Sequence, residues 1–391
     1  MTATRTLLEQ AHALHDGLRA TRRDLHTHPE LGYREVRTAN IVKERLESLG
    51  YDVKIGIATT GILASKRGTA KGKTVLLRFD MDALPIEEQN DVPYRSQTRG
   101  VMHACGHDAH VAIGLGVAEV LAETTFPGTL NLMFQPAEEG LGGAAKMVEA
   151  GVLVGVDEAY GLHVSSAHPT GTLAVCEGVF MGSTDRLTIQ VKGQGGHAAL
   201  PHQTVDAVVA ASHLVVALQS IISRNLDPEE AGVITLGQAS AGTAGNIVAG
   251  EAVLRGTLRC FTPQVRALLE RRVREVCAGI AAAHDARIEV TIERGVNPVI
   301  NDKCATQRVI NLASKLLGTN NVDTSWRTLI GEDFSEVLAR VPGCFFFLGA
   351  RDDSRNLNSP HHSPTFDIDE ACLPLGVALL SEITLRTLGE S

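Results

Sequence analysis

The 391-residue sequence contains no Cys-x-x-Cys pair, no extended block of lysine or arginine, and no unbroken apolar run of membrane-spanning length. Its seven cysteines (105, 176, 260, 277, 304, 344, 372) are odd in number and scattered, which argues against a disulfide framework or a zinc ribbon. That usage fits a reducing compartment, and a cytoplasmic protein is expected. The net charge of −9 is spread over mixed signs, so nucleic acid and anionic membrane surfaces are disfavoured as partners and a small molecule is expected. The longest apolar stretch, Ala207 to Ile222, is interrupted by Ser212, His213, Gln219 and Ser220 and reads as a buried helix rather than a membrane span. Glu9, His12, His15 and Asp16 stand where a signal peptide needs apolar residues, so no secretory leader is expected.

What is present is a stretch dense in metal-binding side chains. Met102-His103-Ala104-Cys105-Gly106-His107-Asp108-Ala109-His110 carries one thiol, three imidazoles and one carboxylate, the groups that bind divalent transition metals most readily. Gly106 allows the backbone to turn between Cys105 and His107, so both can reach one ion or an ion pair. Asp80-Met81-Asp82 follow an apolar run, Glu138-Glu139 follow Gln135-Pro136, His163 ends another apolar run and His361-His362 stand near the C-terminus, each just past a likely strand, where open α/β sheets place their ligands.

Periodicity orders the rest of the chain. Helices are expected over 5–25 and 35–49, short strands over 51–56, 61–66 and 74–79, then helix 111–123, strand 129–134 and helix 143–150. This alternation predicts a mostly parallel sheet covered on both faces. From residue 183 the order changes to strand 185–192, helix 204–223, strands 232–238 and 251–261, helix 263–283 and strand 286–293, a split βαββαβ unit. A helix at 302–317, a buried strand at Phe345-Phe346-Phe347-Leu348 and a helix at 370–387 close the chain. The expected architecture is therefore a catalytic α/β domain from 1–182 and 295–391, with a ferredoxin-like α+β domain from 183–294 inserted.

The residue types limit the chemistry. Strand alternation lets Asp80 and Asp82 point the same way, whereas Glu138 and Glu139 point apart, so one can bind metal while its neighbour faces a bound water. A carboxylate beside a metal-bound water is what metal-assisted hydrolysis requires. His26-Thr27-His28 invites a rival metal reading, but it follows a helix and precedes the turn at Pro29, so ligation is not expected there. The turn Gly193 to His202 has no Gly-Lys-Ser/Thr and does not read as a phosphate loop. A histidine on such a turn can instead donate a hydrogen bond to a developing oxyanion.

Five segments carry a family resemblance: Asp80-Met81-Asp82-Ala83-Leu84-Pro85-Ile86, His103-Ala104-Cys105-Gly106-His107-Asp108, Gln135-Pro136-Ala137-Glu138-Glu139-Gly140, Gly195-Gly196-His197-Ala198-Ala199 and Gly331-Glu332-Asp333-Phe334. In that order, within about Arg22 to Glu370, the chain resembles the dinuclear-metal amidohydrolases typified by hippurate hydrolase, bacterial N-acyl-amino-acid hydrolases and plant auxin-conjugate hydrolases, relatives of aminoacylase and carboxypeptidase G. The resemblance implies metal ligands at Cys105, His107, Glu139, His163 and His362, a catalytic glutamate at Glu138 and a lid-domain histidine at His197 that reaches a neighbouring subunit's site. It places substrate contacts at Asn246 and Arg259, and the ligand-orienting role on Asp80 and Asp82. His362 matches the family position better than His361 because it directly precedes Ser363-Pro364.

The implied activity is hydrolysis of an N-acyl amino acid to a carboxylic acid and a free amino acid, using two divalent ions per chain (zinc, manganese, cobalt or nickel). The implied assembly is a homodimer or homotetramer through the inserted domain. A carboxypeptidase or dipeptidase using the same site is the alternative within enzymes. A metal-bearing binding protein without catalysis is the alternative outside them, disfavoured because Glu138 and every proposed ligand are present.

Overall fold

The computed structural model describes residues 6–390, which divide into two compact units. The large unit comprises the chain up to Phe180, Val299–Arg327 and the chain from Asp333 onward; the small unit comprises Met181–Pro298 and Thr328–Glu332.

The large unit is built on an eight-stranded sheet. From one edge its strands are Asp52–Ile57, Gly61–Arg67, Pro127–Gln135, Ala70–Asp80, Glu158–Pro169, Gly343–Arg351, Leu173–Ala174 and Val322–Asp323. The four central strands, from Pro127–Gln135 to Gly343–Arg351, run parallel; Gly61–Arg67 and Leu173–Ala174 join their two edges antiparallel, Asp52–Ile57 pairs antiparallel to Gly61–Arg67, and Val322–Asp323 pairs parallel to Leu173–Ala174. These central strands are nearly continuous apolar runs, as parallel strands covered on both faces must be. Two helices supply much of that cover: His107–Ala122 has 14 of its 16 residues buried and Cys372–Leu388 has 13 of 17, which is the pattern of helices enclosed on all sides.

The small unit has a four-stranded antiparallel sheet in the order Gly232–Ala241, Glu251–Cys260, Ser183–Lys192, Arg287–Arg294. Helices Ala207–Asn225 and Pro263–His284 connect its strands, and Asp206 and Thr262 cap their N-termini through side-chain oxygens.

Four local expectations need correction. The helix expected from residue 111 begins at His107, because Gly106 at φ 93° makes the turn that starts it; a Cβ there would also meet Val164 Cγ2 at 2.5 Å. His163 does not end its strand but lies in the middle of Glu158–Pro169. Glu138 and Glu139 are not at a strand end: the strand stops at Gln135, and Ala137 at φ 55° turns the chain before them. Helix Ala207–Asn225 is long and apolar enough to cross a membrane by length and composition, yet it is amphipathic in use. Ala210, Leu214, Leu218 and Ile221 join the small unit's core, while Val208, Val209 and Val216 are exposed.

Buried ion pairs in the large unit give its stability a pH dependence. Burial alone would raise the carboxyls of Asp80, Asp108 and Asp367. Their neighbours together outweigh it, Arg78 with His107 and His110 at the first, Arg22 with His26 and His103 at the second, and Arg22 with Tyr94 and His26 at the third, and all three lie below the usual range. Such depressed groups contribute stability that is fully present above the unfolded value of about 4 and is lost as pH falls through the folded values. Thermal melts of chelator-treated protein should therefore show Tm dropping between about pH 5 and about pH 3. An unchanged or rising Tm over that interval contradicts the assignment.

Candidate metal centre and active site

The site lies at the carboxyl ends of the central parallel strands, the usual ligand position in open α/β sheets. Strand Ala70–Asp80 delivers Asp80 and, just beyond it, Asp82; both are buried. Asp82 is the hub. Its Oδ1 accepts the Glu138 N–H at 3.1 Å and its Oδ2 the Glu139 N–H at 3.0 Å. His107 Nδ1 donates to the Asp82 carbonyl at 2.9 Å and lies 3.2 Å from Asp82 Oδ1. One carboxylate thus fixes the two glutamates and one imidazole together.

Hydrogen-bond accounting assigns the tautomers. Nδ1 of His107 donates to that carbonyl, and its buried Nε2 has no hydrogen-bond partner among the described residues, lying 3.5 Å from Asp80 Oδ2. Against burial, Asp80 and Cys105 hold this imidazole well above its ordinary range, so a metal ion binding at Nε2 would displace a proton there. His163 Nδ1 donates to the Val164 carbonyl at 2.7 Å, which leaves Nε2 unprotonated 3.4 Å from Cys105 Sγ. Burial keeps the His163 imidazole well below its ordinary range, hence neutral. Burial, with Glu139 nearby, pushes the Cys105 thiol up, so a thiolate there needs a cation to hold it.

His110, the third imidazole of the cluster, is committed elsewhere. Its Nε2 accepts the Val164 N–H at 2.9 Å and its Nδ1 hydrogen-bonds to Asp80. Asp80 in turn accepts from Arg78 Nη1 at 2.6 Å, and Arg78 reaches Gln135 Oε1 at 2.8 Å and Asp333 Oδ1 at 3.0 Å. This chain ties two strand ends, at Asp80 and Gln135, to the loop at Asp333 and to the middle of strand Glu158–Pro169 behind the site. Sequence reading found Asp80 but neither Arg78 nor His110 in this role, since a hydrophobic strand position gives no sign that its arginine is buried.

Two consecutive histidines reach the cluster from the C-terminal part. His361 is half-buried, its Nδ1 lies 3.8 Å from Cys105 Sγ, and its Nε2 accepts the Ser166 N–H at 3.2 Å. Burial pushes its pKa down to about 3. His362 adopts φ 64°, and its Nε2 lies 3.2 Å from Glu139 Oε1. The backbone N–H of His362 donates to the Ala104 carbonyl at 2.8 Å, which joins this segment to the Cys105 loop. Four donor sets have all ligand atoms within 4.8 Å of one another, and two of them share the thiol: Cys105, His107, Glu139 and Cys105, His163, His361; the others are Asp80, His107, His110 and Glu138, Glu332, Asp333. A soft thiol, imidazole lone pairs and a carboxylate form a set suited to borderline divalent metals, and the unpartnered His107 Nε2 is the kind of buried atom a metal ion would satisfy.

The remaining expected residues lie in the small unit. His197 is exposed on a two-stranded ribbon opposite Ile247, and its Nδ1 accepts the Ala199 N–H at 3.1 Å, so Nε2 carries the proton. Asn246 is its neighbour across the ribbon, its carbonyl accepting the Ala198 N–H at 3.2 Å. Arg259 is half-buried and donates to the Leu329 carbonyl at 3.0 Å, away from that ribbon pairing.

An open α/β sheet presenting a thiol, imidazoles and paired glutamates at its carboxyl end defines a metal-dependent hydrolase. Residues 76–386 match the model of peptidase family M20/M25/M40, and the chain belongs to that family. It is 39% identical over 369 residues, 93% of each chain, to thermostable carboxypeptidase 2 of Saccharolobus solfataricus. It is 38% identical to the N-acetyl-L-cysteine deacetylase of Bacillus subtilis, covering 94% of this chain and 87% of that one. Among solved structures, a dinuclear metal-binding M20 peptidase from Bacillus subtilis superposes with a TM-score of 0.83 at 33% identity, covering 96% of this chain and 99% of that one.

The hub role of Asp82 is testable. Asp82→Ala removes the acceptor of two backbone N–H groups and the carboxylate that stands against the His107 ring, leaving only the backbone carbonyl to hold that ring, and metal affinity should fall by about 10- to 100-fold. Competition against a chromophoric chelator measures it; wild-type affinity in that variant would mean that Glu138, Glu139 and His107 are held by other contacts.

Proposed function

We propose that this chain hydrolyses the amide bond of N-acyl amino acids, releasing a carboxylic acid and a free amino acid. The observation that carries the proposal is the Asp82 hub, which sets Glu139 and His107 among the metal-competent donors while holding Glu138 one residue away. The family membership and the deacetylase relative support the same reading.

Cys105, His107, Glu139, His163 and His362 would hold two divalent ions. Lone-pair accounting supports His362 over His361, because the Nε2 of His361 is already used by the Ser166 N–H and that of His362 faces Glu139. The ions, when bound, would lower the pKa of a coordinated water toward about 7 and polarise the scissile carbonyl. Glu138 takes the proton from the attacking water and delivers it to the leaving nitrogen. Asp82 holds the backbone of Glu138 so that its carboxylate needs little reorganisation. Burial keeps His110 neutral against the pull of Asp80, and its Nε2 lone pair, accepting the Val164 N–H, anchors the strand that carries His163.

The inserted small unit would serve as lid and as the dimerisation or tetramerisation domain, and the exposed Val208, Val209 and Val216 fit such an interface. His197, with its proton on Nε2, would donate to the oxyanion, in a partner chain's site where the assembly places it there. Asn246 and Arg259 would bind the amino-acid portion of the substrate. The donor set suits zinc, manganese, cobalt or nickel, and the unpaired cysteines suit the cytoplasm.

The test is turnover of a panel of N-acyl amino acids and dipeptides by protein stripped with chelator and reloaded with zinc, manganese, cobalt or nickel. Metal-restored release of free amino acid from N-acyl substrates is expected. Cleavage restricted to dipeptides would instead assign a peptidase, as the carboxypeptidase relative would suggest. Glu138→Gln should retain its metal and lose about 10²- to 10⁴-fold in kcat, the usual contribution of a general base. Near-normal turnover in that variant removes Glu138 from the mechanism.

A further inference from the structure

Arg22 is fully buried near the end of helix His15–Thr27, far in sequence from every residue discussed as a ligand. It is surrounded by three carboxylates from two segments. Its Nε lies 2.8 Å from Asp108 Oδ2, off the hydrogen-bonding angle; its Nη2 donates to Asp367 Oδ1 at 2.8 Å; and its Nη1 reaches Glu370 Oε1 at 3.4 Å. Asp108 directly follows His107, and Asp367 and Glu370 follow the segment that carries His361 and His362. At their inner ends the two segments meet through the hydrogen bond from His362 N–H to the Ala104 carbonyl. At their outer ends they meet through Arg22.

We infer that Arg22 is a positioning residue that sets the separation between the Cys105–His107 loop and the His361–His362 segment, and so the spacing of the metal ligands they carry. The inference rests on the ligand set proposed above. A guanidinium presents its donors in a rigid planar fork, so the distance between the carboxylates it bridges is fixed by its own width. With Arg22 replaced by an apolar side chain, Asp108 and Asp367 would be left as buried like charges on facing segments. Buried charge without a partner is strongly unfavourable, and the segments can relieve it only by moving apart or by taking up a proton. Neighbouring groups reinforce the clamp without replacing it: His26 Nδ1 shares Asp108 Oδ2 at 2.8 Å, and Tyr94 donates to Asp367 Oδ2 at 2.7 Å.

The experiment compares cobalt(II) stoichiometry, affinity and visible spectrum in wild type, Arg22→Met, Arg22→Lys and a control, Arg308→Met. Arg308 pairs with Glu158 and Glu390 in the same unit but touches neither metal-bearing segment. Wild type should bind two ions; if it binds none, the ligand assignment fails before Arg22 is tested. Arg22→Met should weaken cobalt binding by about 10- to 100-fold and alter the d–d bands, as loss of outer support for ligands does. Arg22→Lys should fall between, because it restores charge without the fork. Arg308→Met should lower Tm with affinity and spectrum unchanged. If Arg22→Met does not fold, Tyr94→Phe carries the test, with a shift of about fivefold, equivalent to one hydrogen bond, expected in the same direction. Wild-type affinity and spectrum in the folded Arg22 variants, or equal changes in Arg308→Met, would overturn the inference.

Discussion

The arrangement of the site depends on one buried carboxylate. Asp82 accepts hydrogen bonds from two consecutive backbone N–H groups and stands against the ring of His107. Charge-assisted bonds of this kind each contribute about 1.5–3 kcal/mol net, against about 0–1 kcal/mol for an exposed ion pair. That difference explains why the turn at Glu138 and Glu139 can be rigid without secondary structure of its own. It also gives the adjacent glutamates different surroundings: Glu139 faces His362, while Glu138 is held beside the cluster rather than within its thiol-bearing donor sets.

Behind this hub the large unit buries two arginines, Arg78 and Arg22, each among carboxylates. Buried ion pairs of this type add little net stability compared with a well-packed apolar core, but breaking one by removing a partner costs about 3–5 kcal/mol. They therefore act as constraints on geometry more than as sources of stability. Arg78 links two strand ends, at Asp80 and Gln135, to the loop at Asp333, and Arg22 links the helix that begins at His107 to the segment after His362. The proposed metal centre would draw its ligands from four separate stretches of chain, around Cys105 and His107, at Glu139, at His163 and at His362, and such cross-links would hold them together.

Much of this was legible in the sequence. The apolar runs that precede Asp80 and Gln135 marked the central strands, and the switch to a βαββαβ order after residue 183 is reproduced by the elements of the small unit. The density of Cys105, His107 and His110 marked the site. What could not be read was which imidazole does what. His110 stands in the same dense stretch as His107, and His361 directly before His362, but their Nε2 atoms accept backbone N–H groups of Val164 and Ser166 on strand Glu158–Pro169, contacts with residues 54 and 195 positions away. The helix start at His107 was also hidden, because its signal is not a capping side chain but the positive φ of Gly106. Arg22 and Arg78 were invisible as buried charges, since an arginine in a helix or strand normally reads as solvated.

Cys105, His107, Glu139, His163 and His362 are proposed to hold a pair of divalent ions. The most direct measurement is a crystal structure of protein loaded with manganese or zinc, with anomalous difference maps recorded on either side of the metal absorption edge. Two peaks about 3.5–4 Å apart, flanked by those side chains, with His361 outside the coordination sphere, are predicted. A single peak, or a pair coordinated by His110 or His361 in place of the proposed ligands, would contradict it.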